Sequence, residues 1–424
     1  MTTDKSAPAG GSIMVVGGGI SGLTTALEAA EVGYEVLLIE KEPSLGGRVS
    51  QLKQYFPKLC PPTCGLEINY KRVKDNPRIK VITMAEVEKV EGNAGNYTVE
   101  VKISPRYVNE NCTACGECAK VCESEISNEF NFGMDRRKAA YLPHNMAFPM
   151  RYVMAPSMGA DDREKCKEAC KYDAIDFDMQ EKTLDFKVGA IVWATGWKPY
   201  DAARIDNLGF GRYQNIITNM MLERMASLNG PTQGKILRPS DDKAPETIAF
   251  AQCAGSRDEN HLPYCSYICC MASLKHATYL REQYPDAKIY IYYIDLRTPG
   301  RKYENFYSNL KKDENVFFIK GKVAEVGEES GTGNVTLVAE DTLSGEKIRQ
   351  TVDMLVLATG MQPNASVDKP NADLKYNADG FIVNDFKKGG MFAAGCANKP
   401  ADVVTSNQNA TGMALKAIQT LVRR

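Results

Sequence analysis

The segment from Ser12 to Glu40 constrains the fold more than any other stretch of the chain. An apolar run, Ser12 to Val16, leads directly into Gly17-Gly18-Gly19-Ile20-Ser21-Gly22, and helical spacing follows from Leu23 to Val32. A second apolar run, Glu35 to Ile39, ends at Glu40. This is G-x-G-x-x-G set between a strand and a helix, with a second strand behind it, the frame that binds a dinucleotide. Gly17 permits the tight turn, Gly19 lets backbone approach a pyrophosphate, and Gly22 lets the helix pack closely on the strand. The helix start adds free N–H groups and a positive dipole end. Glu40, about 20 residues further on, is placed to accept from a ribose hydroxyl and disfavours a 2′-phosphate.

At 424 residues the chain exceeds one simple core, so two or three domains are expected. Its 52 Lys and Arg almost cancel its 53 Asp and Glu, which leaves no electrostatic footprint for a phosphate backbone and argues against nucleic acid as partner. Met1 to Gly11 is short and polar and lacks the ordered regions of a signal peptide. No run of about 18 apolar residues occurs, so any membrane link is expected to pass through a partner.

Thirteen cysteines without a secretion signal argue against a disulfide framework, and all but Cys396 fall in groups, which points to metal. The strongest group is Cys112-Thr-Ala-Cys115-Gly-Glu-Cys118-Ala-Lys-Val-Cys122, the C-x2-C-x2-C-x3-C run of bacterial ferredoxins, with Glu123 where proline usually follows. A partial second copy, Cys166 and Cys170, has Ala160 and Arg163 at the two preceding ligand positions. In two-cluster ferredoxins the fourth cysteine of one run serves the other run's cluster. On that pattern one [4Fe-4S] cluster is held by Cys112, Cys115, Cys118 and Cys170. Cys122 is the alternative fourth ligand, and Cys166 is left without a cluster.

A second βαβ unit is expected from a strand at Thr247 to Ala251, a helix from Cys265 to Gln283 and a strand at Lys288 to Ile294. Where a phosphate-binding turn belongs stands Gln252-Cys253-Ala254-Gly255-Ser256-Arg257-Asp258, without the glycine pattern. Cys253, Cys265, Cys269 and Cys270 are expected to converge on a second [4Fe-4S] cluster, because zinc-ribbon spacings are missing. Lys275 lies on the same helix, where a cation stabilises an anionic reduced cofactor; a solvated surface lysine is the competing reading. Cys60-Pro-Pro-Thr-Cys64 reads either as a stiff turn or as further thiol or cluster chemistry.

Leu45-Gly46-Gly47-Arg48, the two Ala-Thr-Gly strand ends at 194–196 and 358–360, and Met391 to Cys396 resemble the two-dinucleotide-binding-domain, thioredoxin-reductase-like flavoproteins. The resemblance implies an α/β fold with FAD as the nucleotide and an inserted ferredoxin-like α+β module. It puts flavin contacts at Gly17, Gly19, Ile20, Ser21, Gly22, Glu40, Lys41, Gly46, Gly47, Arg48, Val87, Ala194, Thr195, Gly196, Gly395 and Cys396. The family usually has aspartate at the last position, and Cys396 reads as a small buried residue. Expected divisions are 12–105, 187–243 and 361–424 for the FAD domain, 106–186 for the insertion, and 244–360 for the second Rossmann-like domain.

Together with Phe56-Pro57 to Cys64, Gly230-Pro231-Thr232, Arg238-Pro239-Ser240 and Tyr264 to Cys270, these features resemble the A subunits of heterodisulfide reductases. The compact arrangement and Cys-Pro-Pro-Thr-Cys-Gly-Leu-Glu-Ile-Asn (60–69) resemble most the A subunits of quinone-interacting membrane-bound oxidoreductases. The methanogen enzymes' extra terminal domains are expected to be absent. The likeness implies an oxidoreductase subunit that relays electrons in sulfate respiration, between adenylylsulfate reductase and a membrane quinone-reactive haem subunit, beside a second flavin and iron–sulfur subunit. It implies a cytoplasmic protein peripheral to the membrane. The alternatives are a subunit of a sulfur-oxidation or methanogenic, electron-bifurcating complex, and an NAD(P)H-dependent flavin reductase.

Overall fold

A computed structural model describes residues 11–56 and 58–422. The first domain centres on a five-stranded parallel sheet in the order Met391–Ala393, Ala190–Trp193, Ser12–Val16, Glu35–Glu40, Ile79–Thr83. Its middle strands, Ser12–Val16 and Ala190–Trp193, are buried throughout because both faces are covered. Helices Ile20–Glu31 and Val403–Val422 pack together on one face, around Leu23, Leu27, Phe392 and Ala410. The other face meets a three-stranded antiparallel sheet, Lys182–Val188, Asn96–Ile103 and Ala85–Asn93, through Met14, Ile39, Val99 and Trp193. The C-terminal helix starts at Val403, where Asp402 caps it by accepting from Thr405 N–H.

The second domain holds another five-stranded parallel sheet, ordered Ile216–Thr218, Met354–Thr359, Thr247–Ala254, Lys288–Tyr293, Val316–Lys320. Helices Asn219–Ala226 and Cys269–Gln283 cover one face. The chain enters and leaves this domain along a ribbon in which Trp197–Pro199 pairs antiparallel with Met361–Pro363. The expected boundary at 243/244 is therefore corrected: Ile216–Thr218 and its helix belong to the second domain, being too short for their sheet partner to be read from sequence. The helix expected from Cys265 starts only at Cys269. Tyr267 at φ +69° breaks helical geometry between them, so Cys265 and Cys269 do not share a helical face.

The insertion departs from the antiparallel sheet after Ile103 and returns at Lys182, earlier than the expected end at 186, because residues 182–186 pair with Asn96–Ile103. It contains helices Glu117–Val121 and Ala160–Ala169, two short two-stranded pairs, and a small core of Val108, Cys118, Cys122, Met154, Cys166 and Ile175. Among the described residues no helix is long and apolar enough to cross a membrane.

Candidate redox site

Two glycine turns meet at the C-terminal edge of the first sheet. A Cβ on Gly22 would lie 1.7 Å from Gly17 O, and one on Gly47 would lie 2.9 Å from Gly19 Cα, so neither position tolerates a side chain without movement. Gly46 and Gly47 are both left-handed, at φ +114° and +53°, and Gly46 pairs with Gly19. The result is a cleft of about 920 Å³ lined by Gly17, Gly19, Ile20, Ser21, Glu40, Lys41, Gly47, Arg48, Val87, Ala194, Thr195, Gly196 and Cys396. Of the expected contacts, Gly22, Gly46 and Gly395 do not line it; they back it, Gly395 by donating its N–H to Asn409 Oδ1 at 2.7 Å.

Glu40 accepts from Gly18 N–H at 2.5 Å and Glu42 N–H at 2.8 Å. Burial outweighs these donors and raises its carboxyl to about 7. Thr195 Oγ1 is buried without a partner on the cleft wall. An elongated cleft, a helix start free of side chains and an unpartnered hydroxyl fit a dinucleotide. Cys396 is buried, its Sγ 3.5 Å from Ala401 O, and burial raises its thiol to about 11, which suits a small packed residue.

The insertion also walls this cleft, a role its sequence does not announce. Phe130, Phe132, Arg137, Tyr141 and His144 line it. Gln51 Nε2 donates to Phe130 O at 3.1 Å, and buried Arg224 donates to Asn131 Oδ1 at 2.8 Å. Burial first, then the Arg224 charge, lowers His144 to about 4. The only sequence signal for this wall is a run of aromatic and basic residues between two cysteine groups, which has many explanations.

Within the insertion the thiols sort into two sets. Cys118 is raised to about 12, chiefly by burial and then by Cys112, with Cys115 and Cys170 adding to it. Cys112 and Cys170 accept N–H groups from Ala114 and Ala174, each at 3.4 Å, the backbone-to-sulfur bonds that tune clusters. Cys122 instead neighbours Cys166 and points at Asp162 Oδ2, 3.8 Å away. Both are buried, Cys166 on the helix Ala160–Ala169 and Cys122 against it. This placement fits Cys170, and not Cys122, as the fourth ligand.

In the second domain Cys253 is raised to about 11 by burial and by Cys270, with Cys265 adding to it; Cys269 is pushed well above the ordinary thiol value by burial and by Cys270, Cys253 and Cys265. Tyr267 N–H donates to Cys265 Sγ at 3.4 Å. Cys253, at φ +58°, turns out of a strand whose register shifts between Ala251 and Ala254. Among the described residues no three His, Cys, Asp or Glu side chains converge on a single-ion position. A cubane, whose thiolates each bind a different iron, does not require that convergence, and both thiol sets fit one.

A second, apolar pocket of about 120 Å³ lies between the domains and shares Arg48, Val49, Trp197, Ala401, Asp402 and Val403 with the large cleft. Lys275 lines it and is buried, so the solvated-lysine reading does not hold. Its Nζ lies 2.5 Å from Glu223 Oε1 and 2.6 Å from Gln54 O; His276 Nε2 approaches the same carboxylate oxygen at 2.6 Å. Burial opposes ionisation of Glu223, but Lys275 and His276 hold it down at about 2. Cys60 is half-buried and Cys64 exposed at the start of the helix Pro62–Asp75, both beside Tyr55 on the rim of this pocket.

These two Rossmann-like domains, joined by a crossing ribbon with an apolar pocket between them, define the two-dinucleotide-binding-domain oxidoreductase fold. A family model for an NAD(P)-binding Rossmann-like domain matches residues 15–79. Thioredoxin reductase of Lactococcus lactis aligns over 97% of this chain and 99% of its own, with TM-score 0.54 and 13% identity. Thioredoxin reductase of T. acidophilum aligns over 97% and 98%, with TM-score 0.53 and 13% identity.

The particular family follows from sequence. The chain is 41% identical over 420 residues to an iron–sulfur A subunit of CoB–CoM heterodisulfide reductase from Methanopyrus kandleri, covering 96% of this chain and 64% of that protein. It is 39% identical to the iron–sulfur A subunit of the same enzyme from Methanocaldococcus jannaschii, covering 95% and 63%. It is 36% identical to the A subunit of the H2:CoB-CoM heterodisulfide,ferredoxin reductase of Methanothermobacter thermautotrophicus, covering 97% and 64%. The chain belongs to the family of heterodisulfide reductase A subunits and their relatives, and spans a little under two thirds of the length of these curated relatives.

Proposed function

We propose that this chain is the FAD and iron–sulfur electron-transfer subunit of a multi-subunit oxidoreductase of the heterodisulfide reductase type. FAD occupies the large cleft, with its redox-active ring directed toward the shared wall at Arg48, Trp197 and Val403. One [4Fe-4S] cluster is held by Cys112, Cys115, Cys118 and Cys170, and a second by Cys253, Cys265, Cys269 and Cys270. The flavin supplies two-electron chemistry and the clusters single-electron transfer. Arg48 donates to Trp197 O at 3.1 Å and Gln51 Oε1 at 2.9 Å, fixing the floor of the shared wall. Lys275 supplies positive charge on the opposite side. The observation that carries the reading is the replacement of the second domain's phosphate turn by Cys253 and its three partner thiols, which puts a cluster where a nicotinamide nucleotide would enter.

The names of the relatives favour this reading over an electron relay between the quinone pool and adenylylsulfate reductase, and over an NAD(P)H-dependent reductase. The quinone-linked reading rests on the segment 60–69. Iron, acid-labile sulfide and FAD are to be measured in the intact complex with its partners identified. About eight irons and one FAD attributable to this chain after the partners' share is subtracted, with no flavin bleaching by NADH, is the expected result. Heterodisulfide-reducing partners favour the first reading, and a membrane haem subunit the second. A single cluster, or bleaching by NADH, overturns the assignment.

A further inference from the structure

The second-domain thiols are flanked by a cation that the electron-transfer reading does not use. Arg257 sits four residues after Cys253 in a turn held by Ser256 N–H to Cys253 O at 3.1 Å. It has φ +54°, a left-handed conformation that costs about 1 kcal/mol or more for a non-glycine residue and persists only where the surroundings enforce it. The enforcement is visible: Arg257 N–H donates to Tyr264 O at 3.0 Å, and Leu262 N–H donates to Gly255 O at 3.1 Å. Gly360, at the end of the neighbouring strand, has no room for a Cβ, which would lie 2.4 Å from Ser256 Oγ.

Asp295 ties the guanidinium to the thiols. Its Oδ2 pairs with Arg257 Nη2 at 2.9 Å, while its backbone carbonyl is 3.5 Å from Cys270 Sγ. One residue thus touches both the cation and a cluster cysteine. The guanidinium is also near enough to Cys253, Cys265 and Cys270 for its charge to act on all three sulfurs.

We propose that Arg257, pinned by Asp295, is a positioning residue that donates to the sulfur of Cys253 and raises the reduction potential of the cluster held by Cys253, Cys265, Cys269 and Cys270. The inference rests on the second-cluster reading above. Reduction adds one electron to the cluster, and a fixed cation stabilises the more negative product relative to the oxidised form. Arg257 suits the task because its charge persists at any working pH and its planar fork serves Asp295 and a sulfur together.

The test is an EPR-monitored redox titration of the intact protein carrying Arg257→Met, Arg257→Lys or Asp295→Asn, with the insertion cluster as internal reference. Arg257→Met is expected to lower the reduced-to-oxidised ratio of the second cluster about tenfold at fixed potential, about 59 mV for a one-electron couple. Arg257→Lys is expected to give a smaller shift, and the insertion cluster none. An unchanged potential with full iron content in Arg257→Met overturns the proposal. So does loss of the cluster in that variant when Arg257→Lys and Asp295→Asn keep the wild-type potential, since the role is then only structural. Wild-type protein with about four irons per chain instead sinks the second-cluster reading, a distinguishable failure.

Discussion

Lys275 Nζ lies 2.5 Å from Glu223 Oε1, and both side chains are almost wholly buried between the two domains. A buried ion pair of this kind is weak evidence for stability, because desolvation offsets much of the attraction. Breaking it from one side is another matter. Glu223→Gln leaves a buried cation uncompensated and is expected to lower unfolding free energy by about 3–5 kcal/mol, read from denaturant titrations of wild type and variant.

Lys275→Ala removes the cation from the pocket that adjoins the flavin cleft. The flavin midpoint potential is expected to fall, because the anionic reduced form loses its counter-charge. Spectroelectrochemistry with FAD retained checks this; an unshifted potential would falsify the placement of the ring at the shared wall.

Glu40 gives a pH dependence. Its carboxyl is raised from the ordinary 4.5 to about 7 by burial, so in the apo-protein it stabilises the fold fully below about 4.5 and that contribution is lost as pH rises through about 7. FAD affinity has the opposite slope, since ribose hydroxyls donate to the ionised form. Affinity is expected to rise between pH 6 and 8, and Glu40→Gln to bind about 10-fold or more weakly with the slope removed, by fluorescence titration.

Gly22→Ala places a methyl group against Gly17 O, where no flexible side chain can yield. The helix must back away from the strand, at a cost of about 1–3 kcal/mol. FAD is expected to be lost on gel filtration while far-UV circular dichroism stays close to wild type.

The fourth ligand of the insertion separates by mutation. Cys170→Ala is expected to lower iron content by about four per chain, whereas Cys122→Ala leaves it unchanged, as measured by iron and sulfide analysis. Equal iron loss in both variants counts against the placement of Cys122 beside Cys166.

Motifs whose chemistry depends on spacing along one turn are legible in the residues alone. The strand at Ser12–Val16 forms as read, and its helix starts at the motif's Ile20. The ferredoxin run stands on its own short helix, Glu117–Val121. What spacing does not supply is the pairing of distant segments. Ile216–Thr218 joins the second sheet only through its register with Leu355–Leu357. Tyr267 ends the expected helix by a backbone angle that its side chain does not announce.

Sequence by itself determined the presence of a dinucleotide fold, the grouping of the thiols and the loss of the second phosphate turn. These are local properties, set by which residues permit a given φ or lie within a few positions of one another. Tertiary structure decided that Cys122 meets Asp162 and Cys166 meets the carbonyl of Cys118, that the insertion walls the nucleotide cleft, and that Lys275 meets Glu223 and Arg257 meets Asp295. Each is a contact between segments far apart in the chain, and a contact of that kind exists only once the cores beneath it have been packed.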